Sequence, residues 1–152
     1  MSLRQLAIRD GLTGLYNARF FSDALSKEHE YGFRKGSSLA LVFMGIHHFK
    51  EVNDWFGYAF GDFILKSLAE LLTTTIRGYD LLARYGGEEF VSLIREESEL
   101  AVGELAYRIC NEIRDRVFDH RLPSALAITG GMGLIEIQRQ RIYCGWPMII
   151  SM

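Results

Sequence analysis

The sequence predicts an α+β or α/β sandwich, a sheet with helices packed on it, and three observations carry that expectation. Apolar runs of strand length alternate with segments of helical periodicity. Glycine pairs punctuate the strand-like runs. Finally, 152 residues at 49% hydrophobic and 24% charged suffice for one domain with a real core and leave little for a second. The alternation holds from end to end, with no internal repeat and no low-complexity segment.

Taken in order, Phe20, Phe21, Ala24, Leu25 and Tyr31 recur at helical spacing over 18–34, and Gly32 and Gly36 mark the exit. Residues 38–46 form a continuous apolar run, as in a strand covered on both faces. A short turn-rich segment around Asn53, Asp54 and Gly57 follows. Phe60, Ile64, Leu68, Leu71 and Leu72 then share one stripe of a helix over 60–76. Residues 80–85 and 90–94 read as short strands joined through Gly86 and Gly87 as a hairpin. A second amphipathic helix spans 99–118, burying Leu105, Ile109, Ile113 and Val117. Pro123 punctuates it, and 125–137 returns as a strand broken by Gly130, Gly131 and Gly133.

Composition excludes some functions. A net charge of −2 and a pI near 6.1 give no basic field to hold a nucleic acid, and none is expected as partner. Cys110 and Cys144 lie far apart without CxxC spacing, so neither a zinc site nor a disulfide framework is indicated. No apolar run reaches about 18 residues and no export signal opens the chain. The expected location is the cytoplasm, either free or as the cytoplasmic part of a membrane-anchored sensor.

The stretch Arg84-Tyr85-Gly86-Gly87-Glu88-Glu89-Phe90 carries the chemistry. A glycine pair lets a ligand approach the backbone closely, so peptide N–H groups can meet phosphate oxygens. Hard cations take carboxylate oxygens and keep water and substrate phosphate in their remaining positions. Glu88 and Glu89 point to opposite faces if they begin a strand, so at most one faces a given ligand directly. On these residues alone an ordinary hairpin turn with solvated acids is the commoner outcome. Upstream, the run from Leu41 ends at a second corner, where a partner carboxylate is expected and Gly45 stands instead. His47 and His48 follow it without a third ligand, which favours two loop histidines over a transition-metal site.

Three groups of residues settle the choice: Asp10-Gly11-Leu12-Thr13-Gly14-Leu15-Tyr16-Asn17; His48-Phe49-Lys50 with Asn53-Asp54 and Gly61-Asp62; and Arg84 to Phe90. In order and spacing the chain closely resembles the GGDEF family of diguanylate cyclases, over residue 10 to about 135. The resemblance implies a nucleotidyl-cyclase-like palm, a central, mostly antiparallel sheet covered by helices. It implies the joining of two GTP molecules into cyclic di-GMP with release of pyrophosphate, by two domains meeting face to face as a homodimer. By position it assigns Asn53 and Asp62 to the guanine edge and the backbone of His48 and Phe49, with Lys50 nearby, to the phosphates. Gly86 and Gly87 form the catalytic turn, Glu88 binds Mg2+ or Mn2+, and Glu89 lies beside the attacking hydroxyl. Arg77-Gly78-Tyr79-Asp80 matches the family's inhibitory cyclic di-GMP site, to which Arg108 adds a further arginine. The resemblance also divides the chain into a linker remnant (1–9), the GGDEF domain (10–137) and a divergent or truncated tail (138–152), and implies an N-terminal sensory or receiver domain in the parent protein.

Two departures qualify the activity. Where the family pattern ends its first strand Asp-x-Asp, this chain has Gly45 and His47. That leaves Glu88 and the carbonyl of Ile46 to hold a weakened cation through water. Past residue 137, the basic C-terminal helix typical of the family is replaced by an unrelated apolar stretch, which would leave one face of the sheet open. An impaired cyclase, an inactive GTP or cyclic di-GMP receptor, and a vestigial dimerisation module all remain readings of the sequence.

Overall fold

The computed structural model describes residues 7–35, 39–46, 48–95, 98–115, 127–136 and 141–151. The expectations placed on Gly36, Ser38, His47, Val117, Pro123 and the ends of the last predicted strand lie outside these residues. In chain order the elements are β1 (Tyr16–Asn17), α1 (Ala18–Lys35), β2 (Ala40–Ile46), α2 (Phe49–Phe56), α3 (Tyr58–Thr75), β3 (Leu81–Arg84), β4 (Glu89–Ile94), α4 (Glu99–Asp115), β5 (Ala127–Glu136) and β6 (Arg141–Ser151). The strands form one sheet in the order β1-β3-β4-β2-β5-β6. Only β1 and β3 run parallel; every other neighbouring pair is antiparallel. This is the α+β architecture expected from the sequence.

Strand alternation explains how the helices attach. Along β2, Ala40, Val42, Met44 and Ile46 join Phe90, Ile94 and Leu82 in a core with the buried faces of α2, α3 and α4. The intervening Leu41, with Leu81, Ala83, Val91 and Leu93, packs on Phe21 and the partly buried Phe20, Ala24 and Leu25 of α1. Strands β2, β3 and β4 thus pack against helices on both faces, which accounts for the apolar run of β2, although Phe43 stays 38% exposed. Ser92 is the polar exception, fully buried, and its hydroxyl donates to the Leu81 carbonyl at 3.0 Å. Helix starts are fixed locally: Asn17 Oδ1 accepts from the Phe20 N–H at 2.9 Å to cap α1, and Ser98 Oγ accepts from the Ala101 N–H at 3.3 Å to cap α4.

The structure differs from the sequence expectation in three places. The turn-rich segment around Asn53 is the end of helix α2, whose Phe49 and Val52, three residues apart, are both buried. Eight residues are too few to present a helical period, and Asn53 and Asp54 are turn formers by composition. Strand β1, two residues long, shows no period at all. Finally, 141–151, where the sequence assigned no element, pairs with β5 as the edge strand β6. Its ladder steps from Gly130 opposite Met148 to Met132 opposite Gly145, so Pro147 falls at the irregularity, where its missing N–H is tolerated.

Candidate functional site

Residues far apart in sequence converge at the C-terminal end of β2. Gly45 lies opposite Glu89 in the β2–β4 ladder, and the Ile46 N–H donates to the Glu88 carbonyl at 3.2 Å. The glycine corner is closed by one acceptor: the Glu89 carbonyl takes the N–H of Tyr85 at 2.8 Å and of Gly86 at 3.2 Å. A Cβ on Gly86 would lie 2.6 Å from Glu89 Oε2, because the exposed Glu89 carboxylate folds back over the first glycine. Glu88 and Glu89 are both exposed to solvent. Arg84 holds the corner from below, donating through Nε and Nη2 to the Gly87 carbonyl at 3.2 and 2.7 Å. Its Nη1 meets Asp10 Oδ1 at 3.1 Å.

On the other side of β2, His48 takes a left-handed conformation, φ 56° and ψ 27°, unusual for a residue with a side chain. This turns the chain sharply into α2, the His48 carbonyl accepting from the N–H groups of Glu51 and Val52 at 3.0 and 3.3 Å. The imidazole Nδ1 sits 2.7 Å from Glu51 Oε1. The N-terminus of α2 thus opens beside Gly45, with Lys50 exposed and Phe49 turned into the core. Gly57, at φ 86°, breaks α2 from α3. The break folds Asn53 back onto the start of α3: a Cβ on Gly61 would fall on Asn53 Oδ1 and 3.1 Å from the Phe49 ring. Asn53 is half-buried over Gly61, and Asp62, the next residue of α3, is exposed.

The family model for the diguanylate cyclase GGDEF domain matches residues 7–143, a span that includes each of these converging segments. The chain is a GGDEF domain. It is 40% identical over 135 residues to the diguanylate cyclase DgcP of Pseudomonas aeruginosa, covering 89% of this chain and 20% of that protein. Similarity to the response regulator PleD of Caulobacter vibrioides is 38% over 113 residues, covering 74% of this chain and 24% of PleD. Among solved structures, the coiled coil and GGDEF domain of DgcB from Caulobacter crescentus, in complex with c-di-GMP, superposes with a TM-score of 0.78 at 28% identity, over 86% of this chain and 70% of that one. The chain spans about a fifth of the length of DgcP. It belongs to the domain family of cyclic di-GMP signalling.

Diguanylate cyclases of this family generally use Mg2+. In this GGDEF domain, position 45 offers no side chain, and the Ile46 N–H binds the Glu88 main-chain carbonyl. Among the described residues no cluster of three or more His, Cys, Asp or Glu side chains could hold a metal ion. No helix among the described residues is long and apolar enough to cross a membrane.

A cleft of about 430 Å3 lies at the other end of β3, lined in part by Arg9, Tyr16, Thr73, Arg77 and Asp80. Arg77 is exposed, its Nη1 donating to the Tyr79 hydroxyl at 2.7 Å. Asp80 is 9% exposed, and its Oδ1 accepts from the Arg95 N–H at 3.0 Å. The Arg95 guanidinium also donates to the Tyr79 carbonyl and pairs with Glu28 of α1 at 2.6 Å, so α1 and β4 together hold the 77–80 turn. Arg108 stands outside the cleft lining and donates to the Thr75 carbonyl at 3.1 Å, where it serves the C-terminus of α3.

Sequence reasoning overlooked the Asp10–Arg84 pair, 74 positions apart. The one available signal was local: Asp10 three residues before Thr13, whose N–H and hydroxyl donate to Asp10 Oδ1 at 2.9 and 2.7 Å. Burial pushes the Asp10 carboxyl up, but those two hydrogen bonds and the Arg84 guanidinium outweigh it, leaving it below its ordinary value of 3.8. The Arg95 hydrogen bond likewise lowers Glu28 from 4.5. Depressed carboxyls stabilise the fold above their unfolded values, and that contribution drains as pH falls through the folded ones. Asp10→Asn is therefore expected to lower the melting temperature near neutrality, with the gap to the unaltered protein closing as thermal melts are taken below about pH 4. A gap that stays constant with pH would show that the Asp10 charge contributes nothing.

Proposed function

We propose that this GGDEF domain binds GTP at the end of β2 and converts it to cyclic di-GMP slowly, its turnover impaired at Gly45. The glycine corner paired against the end of β2, just before α2 begins, is the observation that carries the reading. In it, Asn53 and Asp62 satisfy donors and acceptors of the guanine edge, the backbone of His48 and Phe49 with Lys50 receives phosphate, and Gly86 and Gly87 admit the reacting phosphate. Glu88 is the remaining carboxylate for a weakly held Mg2+ or Mn2+, and Glu89 lies beside the attacking hydroxyl. The reaction needs a second copy of the domain, since each holds one GTP. A cytoplasmic location and a regulatory domain preceding this one in the parent protein complete the reading; one relative is named a response regulator.

The cleft at Arg77 supports a second reading, in which the domain receives cyclic di-GMP through Arg77 and Asp80, with Arg108 nearby. A guanidinium can pair bidentately with a phosphodiester and stack on guanine. The solved DgcB domain is in complex with c-di-GMP.

Incubating the protein with GTP and either cation at high concentration, and separating the nucleotides chromatographically, tests the first reading. Slow appearance of cyclic di-GMP, abolished by Glu89→Gln, is the expected result. Absence of product from folded protein would leave the receptor reading, which direct titration with cyclic di-GMP decides.

A further inference from the structure

We propose that Arg9 forms the second wall of the Arg77 cleft, so that a phosphodiester dinucleotide seated there is gripped by two guanidinium groups and ties the N-terminal turn of the domain to the 77–80 turn. The inference rests on the second reading above and adds a contact residue and a mechanical consequence to it.

Topology brings the two arginines together. Strand β1 pairs parallel with β3, Tyr16 opposite Ala83 and Asn17 opposite Arg84. Parallel neighbours start at the same edge of the sheet, so the turn leading into β1 and the turn leading into β3 lie side by side. The first carries Arg9, the second Arg77, and both line the one cleft of about 430 Å3.

Arg9 is held ready for a ligand. Its guanidinium lies 3.9 Å from the centre of the Tyr16 ring, whose other neighbour is Phe20, stacked at 4.4 Å. Its Nη1 donates to the Gly14 carbonyl at 3.3 Å. A guanidinium carries five N–H donors in a fixed fork, so this anchoring uses a small part of its capacity and orients the rest. A side chain ordered before binding loses little entropy when a phosphate arrives. The Asp10 bonds to Thr13 and Arg84 fix the same turn from its far side.

The charges of the lining favour an anion with donor groups. Arg9 and Arg77 supply two cations; the one carboxylate, Asp80, is buried and already accepts the Arg95 N–H. Two phosphates joined through sugars, with a base edge able to donate towards Asp80, match that arrangement. Because residues 7–9 are where the chain enters the domain, a ligand bridging Arg9 and Arg77 would clamp that entry against the sheet.

Hydrogen exchange of the unaltered protein with and without cyclic di-GMP tests this, alongside calorimetric titration of Arg9→Gln and Arg77→Ala. Expected are slowed exchange in peptides covering both 9–16 and 77–80, and affinity weakened by about tenfold or more in each variant at unchanged melting temperature. Protection confined to 77–80, with Arg9→Gln binding normally, would overturn the inference and leave the receptor reading standing. No binding by the unaltered protein overturns both. Should Arg9→Gln fail to fold, the exchange pattern of the unaltered protein decides.

Discussion

Gly45→Asp is expected to raise GTP turnover in the presence of magnesium by about a hundredfold, the order of effect that one group stabilising developing charge commonly has. The substitution is sterically free, because a Cβ at position 45 meets nothing within 4 Å and the glycine does not hold a positive φ. It places a carboxylate directly across the ladder from Glu89 and next to the Ile46 amide that binds the Glu88 backbone. Like charges directly opposite in a sheet repel, so the same variant carries a second signature. Without a divalent cation it should melt below the unaltered protein, and adding magnesium should recover more stability in the variant than in the parent. A cation held by the introduced carboxylate together with the glutamates of the corner accounts for both effects, since binding to the folded state stabilises it by mass action. Unchanged turnover from a well-folded variant, with no cation-dependent gain in melting temperature, would remove Gly45 as the cause of impairment.

What the sequence revealed of this fold and what it hid divide along the range of the interactions. The run 40–46 was readable because most of β2 is buried, and the stripe of α3 because Ile64, Leu68 and Leu72 recur every four residues. Helix α2 was obscured because its two buried positions, Phe49 and Val52, make no period, and its remaining residues are solvated. Strand β1 exists only through its pairing with β3, a contact nothing local announces. The glycine corner is legible as a motif, yet the Glu89 carboxylate lying over its first glycine is a matter of side-chain placement. Arg84 belongs to the corner motif, but its grip on Asp10 spans 74 positions, a contact no local pattern announces. Asn53 and Asp62 are legible by resemblance; the way Asn53 folds back onto Gly61 across the break at Gly57 is not.

That bare surface gives the second large effect. Gly61→Ala is expected to weaken GTP binding by about tenfold or more, while moving the melting temperature by only a few degrees. Gly61 lies in α3, where alanine is intrinsically the better helix former by about 1 kcal/mol. The added methyl falls on Asn53 Oδ1 and crowds the Phe49 ring at 3.1 Å. The Asn53 carboxamide is the end of a short, half-buried side chain and can swing outward, so the fold relaxes at modest cost. The carboxamide then leaves the position over Gly61 from which it would meet a guanine edge. Gly61 acts as a positioning residue, and the sign of that role is non-additivity. Asn53→Ala removes the group that Gly61 accommodates, so combining the two should weaken binding no further than Asn53→Ala alone. The loss should also fall on GTP more than on ATP, because a purine lacking the guanine edge never used the carboxamide. Fully additive losses, or equal losses for both nucleotides, would show that the alanine disturbs the α2–α3 corner as a whole and that Asn53 is not placed by Gly61.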